Sequence, residues 1–333
     1  MMWNNSLFTK IKNLYLNDLT LSMLIILLVL LTLLLSIFLP GKIFTLGNFQ
    51  SIAFQLPELG ILAIAMMLTM LSGGINLSII ATANISGIIT ASLLSVMIPE
   101  VVGNTLLISI IAILTGWLVA LLIGIINGIL IAHIGVSPIL ATLGMMTVLE
   151  GINILTTKGY VISGFPSEIL YIGNGTIIGI PIPLIIFLLI AIILEIIMDR
   201  TPYGISNYLI GSNEKATYLS GINVKRILIQ TYAISGLLCG IASTIMISRF
   251  NSAKAGYGSS YLLITILASV LGGVDPCGGI GKINGLVVAL FILQIASSGL
   301  NLLGVSTHFT KALWGIILLV VIGLRNLYYQ RYN

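Results

Sequence analysis

RTPYGISNYLIGSNEKATYLSGINVKR, residues 200–226, is the longest polar, charge-bearing stretch in an otherwise apolar chain. Apolar runs flank it at 177–198 and 227–247, which reads as two membrane spans joined by a connection of roughly 25 residues. Pro202 and Gly204 are expected to stop the incoming helix. Ser212 or Asn213 can cap a short helix over 213–220, and Gly221 can close it in a left-handed conformation that a residue with a side chain adopts only at a cost. A short helix held on a membrane surface between two spans suits docking of another protein. A plain surface loop with one helical turn is the competing reading.

Composition sets the class. Hydrophobic residues make up 58% of the 333, charged residues 7%, and the mean hydropathy is +1.17. Soluble domains carry about 25% charged residues, so the chain reads as an all-α, polytopic integral membrane protein occupying 1–333 as one unit, with no cleaved leader. The net charge of +5 fits basic loops beside a membrane and lipid headgroups. No basic cluster is interleaved with aromatics, so nucleic acid is not an expected partner. Cys239 and Cys277 stand far apart and suggest neither a disulfide framework nor a metal site.

Residues 1–17 read as a short interfacial helix or a disordered tail. Apolar runs then follow at 21–39, 51–71, to residue 98, 105–133, 139–155, 177–198, 227–248, 261–271, 286–303 and 309–324. That is about ten membrane segments by the ~20-residue rule. The run at 261–271 is short, so one or two segments are expected to be broken or re-entrant. Pro99 to Asn104 reads as a turn. With the N-terminus inside, Lys10, Lys12, Arg200, Lys215, Lys225, Arg226, Lys282, Arg325 and Arg331 fall inside. Lys42, Lys158, Arg249, Lys254 and Lys311 fall outside, nine against five. This bias places both termini and 200–226 in the cytoplasm and the turn-rich 158–175 outside.

Two glycine pairs interrupt the apolar sequence, at Ser72-Gly73-Gly74-Ile75-Asn76 and Leu271-Gly272-Gly273-Val274-Asp275. A weaker echo relates Gly135-Val136-Ser137 to Gly304-Val305-Ser306. The glycine pairs lie on one side by the crossing count and the other two on opposite sides, so either the echo is chance or one segment does not cross fully. Paired glycines let the backbone leave helical geometry, and the freed groups must face protein or water. Asn76, Ser78 and Asn84 add uncharged donors and acceptors, with Asn76 and Asn84 at a spacing that shares a helical face. Gln294 and Asn301, near Ser297 and Ser298, form a second such group, and Asn127 a lone one. These are candidate linings of a path for a polar, uncharged solute. The competing reading is interhelical hydrogen bonding.

No catalytic, nucleotide-binding or metal-ligating constellation is present in the sequence, and no cofactor is expected. Glu58, Glu150 and Glu195 lie in or beside spans with no evident central partner, which speaks against an ion-coupled carrier. Uphill movement of a solute would then draw its energy from a partner.

Over about 56–324 the chain resembles the membrane permeases of ATP-binding-cassette importers of the ribose/xylose/autoinducer-2 class. The resemblance rests on SGGINLS at 72–78, IGSNEKATYLSGINV at 210–224, VLGGV at 270–274 and GLNLLGVS at 299–306. It implies a bacterial cytoplasmic-membrane importer in which two permease subunits, identical or paralogous, form the path. An extracytoplasmic binding protein delivers a sugar-like solute, and a cytoplasmic ATP-binding subunit hydrolyses ATP and docks on the 200–226 loop. The coupling residues are then Gly211, Asn213, Glu214, Ala216, Ser220 and Gly221. The family's first glycine-pair motif typically continues Ile-Asp, whereas this chain has Asn76, which removes a carboxylate role there. Related permeases for nucleosides or branched-chain amino acids are the alternative within transport. A membrane enzyme or scaffold is the alternative outside it.

Overall fold

A computed structural model describes residues 19–100 and 105–332; the expectation for 1–17 falls outside them. The chain is almost entirely helical. Helix α1 spans Leu19–Phe38, α2 Leu46–Leu71, α3 Ile79–Glu100, α4 Thr105–Ile129 and α5 Pro138–Thr157. After a short helix α6, Ser167–Asn174, come α7 at Ile182–Arg200, α8 at Pro202–Ser212 and α9 at Glu214–Leu219. The chain closes with α10 at Val224–Phe250, α11 at Tyr261–Leu271, α12 at Ile283–Leu302 and α13 at Thr307–Tyr332. Among the described residues, eight helices are long and apolar enough to cross a membrane, and Tyr261–Leu271 and His308–Val320 add shorter apolar ones. This is a polytopic all-α membrane protein. At 1.5 Å per residue α11 is about 16 Å long, roughly half the hydrocarbon thickness, too short to cross by itself.

Helix α2 is the central mast. From Leu56 to Leu71 every residue is buried, because α3, α7, α10, α11 and α12 all pack around it. A helix apolar on every face belongs in such a position. Its Pro57 lies inside the helix, where neighbouring helices keep the kink-prone turn enclosed. Helix α1 is the opposite case. It touches mainly α12 and turns Met23, Ile26, Leu30 and Leu34 outward, as a lipid-facing helix should. Helices α4 and α10 form the most extensive pair. They meet at small residues: a Cβ on Gly236 would overlap the Ala120 carbonyl, and one on Gly124 the Tyr232 carbonyl.

The two ends of the bundle are built differently. At the basal end, which carries α8 and α9, the glycine turns at 72–74 and 272–281 come together. The amide of Gly279 donates to the Leu71 carbonyl at 2.9 Å. At the far end, Ile162 pairs with Ala253 and Ser163 with Ser252 in a two-residue antiparallel ladder. A second hairpin pairs Thr176 with Pro181 and Ile177 with Ile180. Helix α6 packs there on α10: the Ser248 hydroxyl accepts from Gly173 N at 2.6 Å and donates to the Ile169 carbonyl.

Two local expectations are corrected. Pro202 does not stop a helix but starts one: α7 ends at Arg200, and Pro202 occupies the first turn of α8, where its missing N–H costs nothing. The connection therefore holds two helices and not one. Helix α3 also continues through Pro99 to Glu100, and residues 101–104 fall outside the described set.

Candidate functional site

The first glycine pair breaks the chain as expected, but the polar residues after it serve the break itself. Gly73 has φ +82, and regular helix resumes only at Ile79. Asn76 therefore precedes α3, and helical spacing does not place it on one face with Asn84. Asn76 is 2% exposed. Its Oδ1 accepts from the amide and hydroxyl of Ser78 at 3.1 and 2.8 Å, and its Nδ2 donates to Ser235 Oγ at 3.1 Å. Asn127 Nδ2 donates to Ser78 Oγ at 2.9 Å. The Thr142 hydroxyl receives Leu77 N at 3.1 Å and donates to the Ile75 carbonyl at 3.0 Å. Side chains of α4, α5 and α10 thus tie the break down, with Thr142 and Asn76 itself taking up its freed backbone groups, which an uncapped gap inside a membrane could not tolerate.

Asn84 sits elsewhere. Its Nδ2 donates to the Tyr257 carbonyl at 3.1 Å, and its side chain lines a cavity of about 290 Å³ between α3, α5 and the segment 255–262. The other polar groups on this wall are Glu150, Asn153 and Ser259. Asn153 is 1% exposed; its Nδ2 reaches the Ala81 carbonyl at 3.3 Å, while its Oδ1 has no partner. Sequence reading missed Asn153. Its position three residues after Glu150 on one helix, as a same-face neighbour, was the signal to follow.

Gln294 lies in a second, smaller cavity of about 140 Å³, with Gln55, Tyr261, Ser297 and Trp314. Its Nε2 donates to Gln55 Oε1 at 3.1 Å. Ser298 donates to Asn48 Oδ1 at 2.6 Å, and Asn301 is exposed near the end of α12. The polar candidates therefore do not form one lining. Asn76, Ser78 and Asn127 form a buried network, Asn84 lines the larger cavity, Gln294 and Ser297 the smaller one, and Asn301 lies exposed outside all three.

Glu58 has the partner that the sequence did not reveal. It is 0% exposed, and Arg249 Nη1 stands 3.0 Å from its Oε1. Tyr261 Oη donates to the same oxygen, and Arg249 also donates to the Phe54 carbonyl at 3.2 Å. The cluster ties α2, α10 and the first residue of the half-helix α11 together. Glu195 likewise accepts from Asn284 Nδ2.

At the basal end, α9 carries Asn213 at its N-terminus, where Oδ1 accepts from Ala216 N at 2.9 Å. Gly221, at φ +85, follows the helix, with open space around it. Glu214, Ala216 and Ser220 are exposed, and so are Tyr218 and Leu219, at 70% and 83%. Two large apolar side chains bared on one short helix were not singled out from sequence, because hydropathy cannot tell a bared side from a packed one in six residues. Helix α8, by contrast, is bolted down along one face by Tyr203, Asn207 and Gly211, spaced four apart. Asn207 Nδ2 donates to the Leu68 carbonyl at 3.1 Å, and its Oδ1 accepts from Thr231 at 3.1 Å. Tyr208 donates to the Gly281 carbonyl at 2.9 Å. Burial, assisted by Asp199 and Glu195, pushes this hydroxyl up to about 12. Gly211 fills the junction itself: a Cβ there would overlap both Leu71 O and Gly279 N, and one on Gly278 would stand 2.7 Å from Gly73 N.

A ribose import permease of Bacillus subtilis (strain 168) is 35% identical over 277 residues, covering 83% of both chains. An autoinducer 2 import system permease of Photorhabdus temperata is 32% identical over 281 residues, 83% of this chain and 82% of its own. A ribose import permease of Escherichia coli (strain K12) is 32% identical over 292 residues, 86% and 88% respectively. No solved structure matches the chain. The family described as "Branched-chain amino acid transport system / permease component" matches residues 48–322, and the chain belongs to this permease family.

Proposed function

We propose that the chain is the membrane-spanning permease subunit of an ATP-driven, binding-protein-dependent importer for a neutral, sugar-like solute in the bacterial cytoplasmic membrane. It forms the path with a second permease, identical or paralogous, and hydrolysis occurs in a separate ATP-binding subunit. The observation that carries the reading is α9: a capped helix that bares Tyr218 and Leu219, joined end to end with a helix bolted to the central mast. A partner pushing on α9 acts through α8 on the ends of α2 and α11 together. Gly211, Asn213, Glu214, Ala216, Ser220 and Gly221 form this coupling element.

The solute class rests on two further supports. The similar proteins named above import ribose and autoinducer 2, and the cavity at Asn84 is lined by amides, a hydroxyl and a carboxylate, with no cation among its lining residues. An amino acid would leave its carboxylate there without a counter-charge. Asn84 is assigned to the path. Asn76 and Ser78 hold the break beside it, and Gln294 belongs to the smaller cavity. At the far end, the hairpin 176–181 presents Ile178, 97% exposed and held at φ +53. A β-branched residue in that conformation is strained, which fits a contact point for the solute-binding protein.

The test is reconstitution of the chain in proteoliposomes with the ATP-binding subunit and binding protein encoded beside it. ATP-dependent accumulation of labelled D-ribose or another neutral monosaccharide is the expected result. Accumulation of L-leucine with no sugar uptake would overturn the solute class.

A further inference from the structure

Among the described residues, Glu150 is the one acidic side chain well inside a span that the fold leaves without a partner; Asp199 stands at the end of α7. Glu58 has Arg249 and Tyr261, and Glu195 has Asn284. Glu150 makes no hydrogen bond or ion pair with any described residue, and it is exposed. It is not near a helix end. Twelve residues separate it from Pro138, placing it about 18 Å along α5 and near mid-span. A carboxylate at that depth cannot rest against lipid without a large cost, so it faces water, solute or protein. The cavity at Asn84 lies directly beside it, and Glu150 is part of the wall.

Two features of that wall point to what it takes. Asn153, one turn further along α5, is buried and presents an Oδ1 with no hydrogen-bond partner. A buried acceptor left empty is costly, and a donor entering the adjoining cavity would fill it. The carboxylate of Glu150 is also an acceptor only, with two oxygens side by side. Acceptors of both kinds on one wall call for a ligand rich in donors. A ligand with adjacent hydroxyls supplies two O–H donors at the spacing of one carboxylate.

We infer that Glu150 is the recognition point of the path: its carboxylate accepts two neighbouring hydroxyls of a neutral polyol or aldose, Asn153 accepts a third donor, and the fixed negative charge turns anionic solutes away. This rests on the permease reading and makes it specific. It predicts that phosphorylated sugars and free carboxylates are rejected by the membrane subunit itself, independently of the binding protein.

The experiment uses the complete importer in lipid nanodiscs, with a water-soluble carbodiimide and glycine methyl ester as the probe. Peptide mass spectrometry reads the modification of each carboxylate. Glu150 should be labelled while Glu58 is not. At least one of D-ribose, D-xylose and D-galactose should slow Glu150 labelling by about threefold or more, and D-ribose 5-phosphate and L-leucine should not. Glu150→Gln should lower uptake of the protecting sugar by about tenfold or more, the loss of one charge-assisted hydrogen bond, with the chain still present in the membrane. An unreactive Glu150 overturns the inference. So does a zero-length cross-link from Glu150 to a lysine of a second copy, which would make the carboxylate half of an interface ion pair. Protection by L-leucine overturns it as well. If the wild-type importer accumulates a sugar and Glu150→Gln accumulates it equally fast, recognition lies elsewhere and the permease reading stands. If the wild-type importer accumulates no neutral monosaccharide, the permease reading for this solute class fails, and this inference with it.

Discussion

Replacing Gly211 with alanine tests whether the basal glycine junction transmits force. The new methyl group would overlap the Leu71 carbonyl and the Gly279 amide, both backbone atoms that no rotamer change can move. Overpacking of this kind costs about 1–3 kcal/mol. Prising the two strands of chain apart also weakens the 2.9 Å bond from Gly279 N to Leu71 O, worth about 0.5–1.5 kcal/mol. Against this, alanine gains up to ~1 kcal/mol over glycine in a helix. The net is about 0.5–3.5 kcal/mol, a shift of roughly 2- to 400-fold against the closed junction. Gly221 is the control. The sequence alone makes it the more critical glycine, yet its surroundings are open, so Gly221→Ala meets only backbone strain of ~1 kcal/mol. In proteoliposomes, Gly211→Ala should retain the ATP-binding subunit on co-purification but lose most solute-stimulated hydrolysis and uptake. Gly221→Ala should lose much less. Wild-type uptake by Gly211→Ala, or a larger defect in Gly221→Ala, would refute the argument that α8 works through contact at Leu71 and Gly279.

Three further outcomes follow from the same geometry. Arg249→Ala leaves Glu58 buried without its counter-charge and should cost about 3–5 kcal/mol, read as a lowered unfolding midpoint in detergent; a double replacement with Glu58→Leu should recover part of the loss, and no recovery would mean that the two do not act as a pair. Asn76→Leu strands Ser235 and Ser78 and should destabilise the chain by about 1–3 kcal/mol, whereas Asn84→Leu should reduce uptake with little change in the midpoint; equal destabilisation by both would remove Asn84 from the path. Replacing Lys215 with cysteine in a chain freed of its other cysteines should give a thiol that an impermeant reagent reaches only from the cytoplasmic side, and ready labelling of intact cells would reverse the orientation.

Much of the architecture was legible because long apolar runs leave a spanning helix as nearly the only solution in lipid. The helix after Asn213 was legible for a local reason as well, since a capping side chain and a closing glycine act within a few residues of one another. Helix α8 was not. Pro202 has the same signature whether it ends one helix or begins the next, and only the position of Arg200 as the last residue of α7 decides it. The pairings that organise the interior were out of reach for another reason. Gln55 meets Gln294 across 239 positions, and no local pattern marks which amide answers which. Asn76 and Asn84 show the limit within a single stretch. Their spacing suggested a shared face, but spacing carries that meaning only inside an unbroken helix, and the glycine pair delays the helix until Ile79.

The cluster around Glu58 has a consequence for how the protein is made. Tyr261 lies 203 residues beyond Glu58, and Arg249 is only slightly nearer. At ~5–20 residues per second, about 10–40 s pass between synthesis of the acid and arrival of its partners. During that interval the central mast has entered the membrane without α10, α11 or α12, carrying an uncompensated carboxylate. The nascent chain is thus an unfinished arch until its last third is threaded, and its keystone is an acid waiting for an arginine.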